Sequence, residues 1–122
     1  MPTAARNDER EKRIHDEAIV DCYGPEEQAL GWHYYLDEQL RTPFRARCVA
    51  PRATSPLREG EEVTVTAMAP EDACEHEMFV IITWSDRTLA VPLAQLEGVD
   101  ADEETAEAIA DWHYWVARGY EL

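Results

Sequence analysis

Ten carboxylates fall into three short clusters along the chain: Asp37 and Glu38; Glu71, Asp72, Glu75 and Glu77; and Asp100, Asp102, Glu103 and Glu104. Carboxylate oxygens suit hard divalent cations. Calcium takes about six to eight oxygens in flexible geometry, so it accepts ligands drawn from several loops. These ten residues are therefore the candidate metal ligands, and Ca²⁺ is the ion they imply. The third cluster can be set against the EF-hand loop. Asp100, Asp102 and Glu104 take its first, third and fifth positions, but Thr105 stands where the sharp turn needs glycine, and Asp111 where a bidentate glutamate belongs. Residues from 103 onward also pattern as helix, which leaves no room for that loop. A cation site here is not an EF-hand.

Any one of these acids is most simply a solvated surface charge; the argument for a site comes from their grouping and from the whole chain's imbalance. The 122 residues hold 26 Asp and Glu against 11 Lys and Arg, a formal net charge of −15. Residues 59–122 alone carry sixteen acids and two arginines. Such a surface attracts cations and repels phosphates. Nucleic acid would have to bind through the arginines at 41, 45, 47, 52 and 58 alone, against the remaining field. Those arginines more simply pair with neighbouring acids, so no nucleic-acid partner is expected. The expected mechanism is electrostatic: folding gathers acids into a cage whose mutual repulsion a divalent ion relieves.

Other chemistries find less support. Cys74-x-His76 lacks the paired Cys or His spacing of structural zinc. Ser55 and Ser85 lack a nucleophile-elbow context, five glycines form no phosphate loop, and His33 and His113 sit beside tryptophans as core-edge residues. No enzyme is expected. Three widely spaced cysteines, an odd number, read as free thiols in a reducing cytoplasm. No apolar run approaches the ~20 residues of a membrane span, and no signal-peptide pattern opens the chain.

The elements that must carry these acids follow from periodicity. Residues 1–12 are polar and expected to fray, leaving a single domain over 13–122. A first amphipathic helix is predicted over Glu9 to Val20, with Ile14 and Ala18 inward. A second runs from Pro25 to Gln39, with Ala29, Trp32, Leu36 and Leu40 as its buried stripe. Glu26 and Glu27 suit its first turn, whereas Asp37 and Glu38 oppose the dipole at its far end and need Arg41 or a cation. Phe44, Ala46 and Cys48 then alternate with Arg45 and Arg47, the period of a half-buried strand. Val63 and Val65 mark a second strand, Met78 to Trp84 a third buried on both faces, and Thr88 to Leu93 a fourth after a turn at Ser85-Asp86-Arg87. A last helix starts from Asp100 to Glu103, buries Ile109, Trp112 and Val116, and ends at Gly119. The prediction is α+β: a small bent antiparallel sheet, or an SH3-like barrel, flanked by N-terminal helices and a C-terminal helix. Trp32-His33-Tyr34-Tyr35 and Trp112-His113-Tyr114-Trp115 echo one another, as two helices presenting rings to one core would.

Longer signatures add to this reading. They are Gly31-Trp32-His33-Tyr34-Tyr35-Leu36-Asp37, Pro43-Phe44-Arg45-Ala46, Ser55-Pro56-Leu57, Cys74-Glu75-His76-Glu77-Met78-Phe79-Val80, Ala90-Val91-Pro92-Leu93-Ala94-Gln95-Leu96 and Asp111-Trp112-His113-Tyr114-Trp115. Through them the chain, from about Ala18 to Leu122, resembles the CcbP-type calcium-binding proteins, small acidic proteins of cyanobacteria and other bacteria. The resemblance implies a cytoplasmic protein that binds calcium without EF-hands, as a buffer or a sensor. Among the acids, Asp37, Glu75 and Glu77 lie inside these signatures. The alternative from another class is an acidic SH3-like protein-interaction module with no metal role, whose protein partner the sequence does not name.

Overall fold

A computed structural model describes residues 6–120 and 122. The first helix, α1, spans Asp8–Arg13 and runs directly into a π-helical turn, Ile14–Ala18. Asn7 caps α1 by accepting from the Arg10 N–H at 3.0 Å. In the π turn the Ile19 N–H reaches back five residues to the Ile14 carbonyl, at 2.9 Å. The predicted helix from Glu9 to Val20 is thus present in a broken form. Of the stretch expected to fray, residues 1–5 lie outside the described residues. The expectation is corrected for 8–12, which are helical. The reason is tertiary: Glu11 is buried and accepts from the Tyr114 hydroxyl at 2.7 Å and from the Tyr120 hydroxyl at 3.1 Å. Polar composition gave no hint of those partners.

Helix α2, Pro25–Gln39, begins and ends where the proline signal and periodicity place it. Its buried face is Ala29, Trp32, His33, Tyr35 and Leu36. Helix α3, Glu103–Ala117, is capped by Asp102 and closed by Gly119 at φ +86°, a left-handed conformation that glycine adopts without strain. Val116 was expected in its buried stripe but is exposed; Trp115 and Tyr114 point inward beside Trp112.

Five strands form one antiparallel sheet: β1 Phe44–Cys48, β2 Glu62–Met68, β3 Phe79–Trp84, β4 Arg87–Pro92 and β5 Leu96–Val99, in the order β4-β3-β2-β1-β5. Phe44, Ala46 and Cys48 face the core and Arg45 faces out, as the alternation requires. Ser85 and Asp86, both at positive φ, make the two-residue connection from β3 to β4. The sheet is open in its pairing, since β4 and β5 each pair with one neighbour among the described residues, which fits the expected small antiparallel sheet. One expectation is corrected. β3 alternates, with Val80 and Ile82 buried and Phe79 and Ile81 only partly so. β5 itself was not anticipated.

Helices α2 and α3 pack against each other through rings. Trp32 lies edge-on to Trp112 and Trp115, at centroid distances of 5.1 and 5.7 Å. The two echoing motifs therefore meet in one core. Gly31 permits α2 to approach the π turn: a Cβ there would lie 2.5 Å from the Ala18 carbonyl oxygen and 3.1 Å from Cys22 Sγ. Alanine gains about 1 kcal/mol in helix propensity, but a clash with backbone costs more because backbone cannot rotate away. Gly31→Ala is expected to lower stability by about 1–2 kcal/mol in urea denaturation. An unchanged midpoint would show that the π turn can shift freely.

Candidate metal centre

The three acid clusters meet different fates. Asp37 and Glu38 are exposed in the last turn of α2 and have no ion-pair partner among the described residues. Arg41, expected to compensate them, instead bridges Asp102 at 3.1 Å and Glu104 at 2.8 Å. Asp102 also accepts from the Thr105 N–H at 2.7 Å as the cap of α3. That bond, with Arg41 nearby, holds its carboxyl below the usual aspartate range. Asp102 and Glu104 thus already serve the start of α3. Glu103 and Asp100 are exposed, Asp100 at φ +54°.

The second cluster splits. Glu71–Cys74 forms a 3₁₀ turn after β2, and Glu77 lies beyond it at the entry to β3. Glu77 takes both arms of Arg52, at 2.9 and 2.7 Å, which commits both of its oxygens. Glu71, Asp72 and Glu75 remain exposed. Together with His76 they face Pro25, Glu26, Ala29 and Leu30 of α2 across a cleft of about 560 Å³. Tyr34 of the same helix engages Glu71, and that hydrogen bond raises its phenol. Glu26, a first-turn charge by its sequence position, is also a member of the cleft. Among the described residues, no Lys or Arg lines this cleft.

A second acidic cleft, about 350 Å³, collects Glu17, Glu103, Glu104 and Glu107 with Tyr35 and Gln39. It carries its own cation. Arg13 reaches Glu107 and Asp111, both at 2.6 Å. Asp111 is fully buried and also accepts from Arg10 Nη1 at 2.6 Å and the Tyr35 hydroxyl at 2.8 Å. Burial, and then Asp111, push the Tyr35 phenol well up. The sequence shows Asp111 as a failed EF-hand position and the start of a signature, but not as a buried anion, because Arg10 and Arg13 lie at the other end of the chain.

Among the described residues, no group of three or more Asp, Glu, His or Cys side chains is gathered closely enough to hold an ion as it stands. The expected preformed cage is therefore corrected. Exposed like charges extend into water, where separation lowers their repulsion. The donors of the first cleft still fit calcium, because they are carboxylates on opposite walls with no fixed cation to displace.

The remaining chemistry follows expectation. Cys22, Cys48 and Cys74 are free thiols, and burial raises that of Cys74. His33 and His113 donate from Nε2 to the carbonyls of Ala69 (2.7 Å) and Leu96 (2.5 Å). Arg45 pairs with Glu62, Arg47 with Glu62 and Glu97, and Arg52 with Glu77. Among the described residues, no helix is long and apolar enough to cross a membrane.

The comparisons with known proteins agree with this picture. A family model of the CcbP type, described as calcium binding, matches residues 12–116. This chain belongs to the CcbP family of calcium-binding proteins. The crystal structure of Anabaena CcbP superposes with a TM-score of 0.88 at 41% identity, covering 100% of both chains. A calcium-binding protein in its calcium-binding form superposes at 0.84 with 40% identity, covering 96% of both. No curated protein matches the chain. The α+β architecture is that of the CcbP structures, and the partner the family implies is Ca²⁺.

Proposed function

We propose that this CcbP-family protein takes up calcium at the cleft between the start of α2 and the 3₁₀ turn, with Glu26, Glu71, Asp72 and Glu75 as ligands. The observation carrying this reading is that these four acids share one cleft without a Lys or Arg among its lining residues. The other candidates are engaged or scattered: Asp102 and Glu104 by Arg41, Glu77 by Arg52, Asp37, Glu38, Asp100 and Glu103 at exposed positions. A bound divalent ion supplies the positive charge that the cleft lacks. The wall residues contribute oxygens from two independent elements, a looseness that suits calcium better than the strict octahedron of Mg²⁺.

The role we propose is an intracellular calcium buffer without catalytic activity. The ligands stand outside a core already closed by Trp32, Trp112 and Trp115, so taking up an ion does not require that core to open. The family match favours this reading over a metal-independent docking module.

Calorimetry of Ca²⁺ binding in physiological salt with Mg²⁺ present tests the site. The triple variant Glu71→Gln, Asp72→Asn, Glu75→Gln should lose the saturable heat, and wild-type ¹⁵N amide shifts should move chiefly around 26–30 and 71–77. Undiminished binding by the triple variant overturns the assignment.

A further inference from the structure

We propose that His33 is a positioning residue for calcium binding: it fixes the acid-bearing turn at the distance from α2 that the cleft requires. The inference rests on the cleft reading above. His33 projects from the buried face of α2 and is only 9% exposed. Its Nε2–H donates to the Ala69 carbonyl at 2.7 Å. Ala69 is the last residue before Pro70, which caps the Glu71–Cys74 turn.

Ala69 is a junction. Its N–H bonds to the Phe79 carbonyl at 3.0 Å, which ties it to the sheet, and its carbonyl faces His33 and, at 3.9 Å, Cys74 Sγ. The Ala73 N–H closes the turn onto the Pro70 carbonyl at 3.0 Å. One end of this small unit is therefore set by the sheet, and its spacing from α2 by a buried imidazole. Glu26, Ala29 and Leu30 form one wall of the cleft and Glu71, Asp72, Glu75 and His76 the other. The separation of the walls follows from where Ala69 sits.

The choice of residue supports this role. His33 Nδ1 is buried with no hydrogen-bond partner among the described residues. Burying an unpartnered polar atom costs free energy that an apolar side chain of similar size would avoid. Against that cost stands the Nε2–H bond to the Ala69 carbonyl, which leucine could not make. Buried polar groups of this kind fix one geometry among several that packing alone would allow.

Three substitutions test it. His33→Gln carries an amide N–H to the reach of Nε2, His33→Asn carries one only to the reach of Nδ1, and His33→Leu carries none. Partners that orient metal ligands are typically worth roughly 10- to 100-fold in affinity. Leu and Asn variants should weaken Ca²⁺ binding by that factor, while Gln restores most of it. In the calcium-free proteins the amide signals of residues 71–75 should shift in the Leu and Asn variants and stay near wild type in Gln. Wild-type affinity in the Asn variant overturns the role even if the Leu variant fails to fold. The triple carboxylate variant run alongside separates the two ideas. If it binds calcium normally the cleft reading fails; if it does not, while all three His33 variants match wild type, the positioning role alone fails.

Discussion

Asp111→Ala should cost about 3–5 kcal/mol of folding stability, measured by urea denaturation, because it removes one side of a buried charge cluster. Asp111 is fully buried and answers Arg10, Arg13 and the Tyr35 hydroxyl at 2.6–3.0 Å. Without it Arg10 and Arg13 keep only the half-exposed Glu107 as a shared anion, and the Tyr35 hydroxyl loses its acceptor. The damage should also be local in character. These contacts fasten α1 to α3, so hydrogen exchange of amides 8–18 should accelerate more than that of β1 to β3. Lys12→Ala, which breaks an exposed pair with Asp16, provides the contrast and should change stability by less than about 1 kcal/mol. Equal effects of the two substitutions would mean that the buried cluster is no more than surface charge.

Calcium itself should produce the second large effect. A ligand at ~100 times its dissociation constant that binds only the native state adds about 2.7 kcal/mol. For a chain of this length that corresponds to a rise in Tm of roughly 10 °C. The gain should exceed that from NaCl at matched ionic strength, since screening weakens repulsion everywhere while a bound ion answers it at one place. It should vanish in the Glu71→Gln, Asp72→Asn, Glu75→Gln protein. A melt indifferent to calcium in the wild type would contradict specific binding.

What could be read in the chain beforehand was whatever neighbouring residues decide. Pro25 and the Trp32 to Leu40 stripe defined α2, Asp102 and Gly119 bracketed α3, and the Arg-Ala-Arg alternation marked β1. β5 was illegible because four residues that include Gly98 owe their strand to pairing with Arg45–Cys48, a tertiary fact. The spatial grouping of the acids was illegible for the same reason. Glu77 lies next to its cluster in sequence, yet Arg52 claims it across a loop. Glu26 lies far from the cluster, yet α2 brings it to the opposite wall. Grouping acids by proximity along the chain picked out three of the four acids of the proposed cleft and missed Glu26. Asp111 and Glu11 show the limit most clearly, since each is buried only because a distant tyrosine or arginine receives it.

The open sheet has a consequence for how copies of this protein behave in crowded solution. β4 ends the sheet with no strand beyond it among the described residues, which leaves main-chain donors and acceptors facing water, the kind of rim along which proteins zip together. Pro92 removes one donor from that rim, and a net charge of −15 supplies long-range repulsion between molecules. The same acidity that draws in a divalent ion therefore keeps the unloaded molecules apart, and each ion captured erodes that colloidal protection.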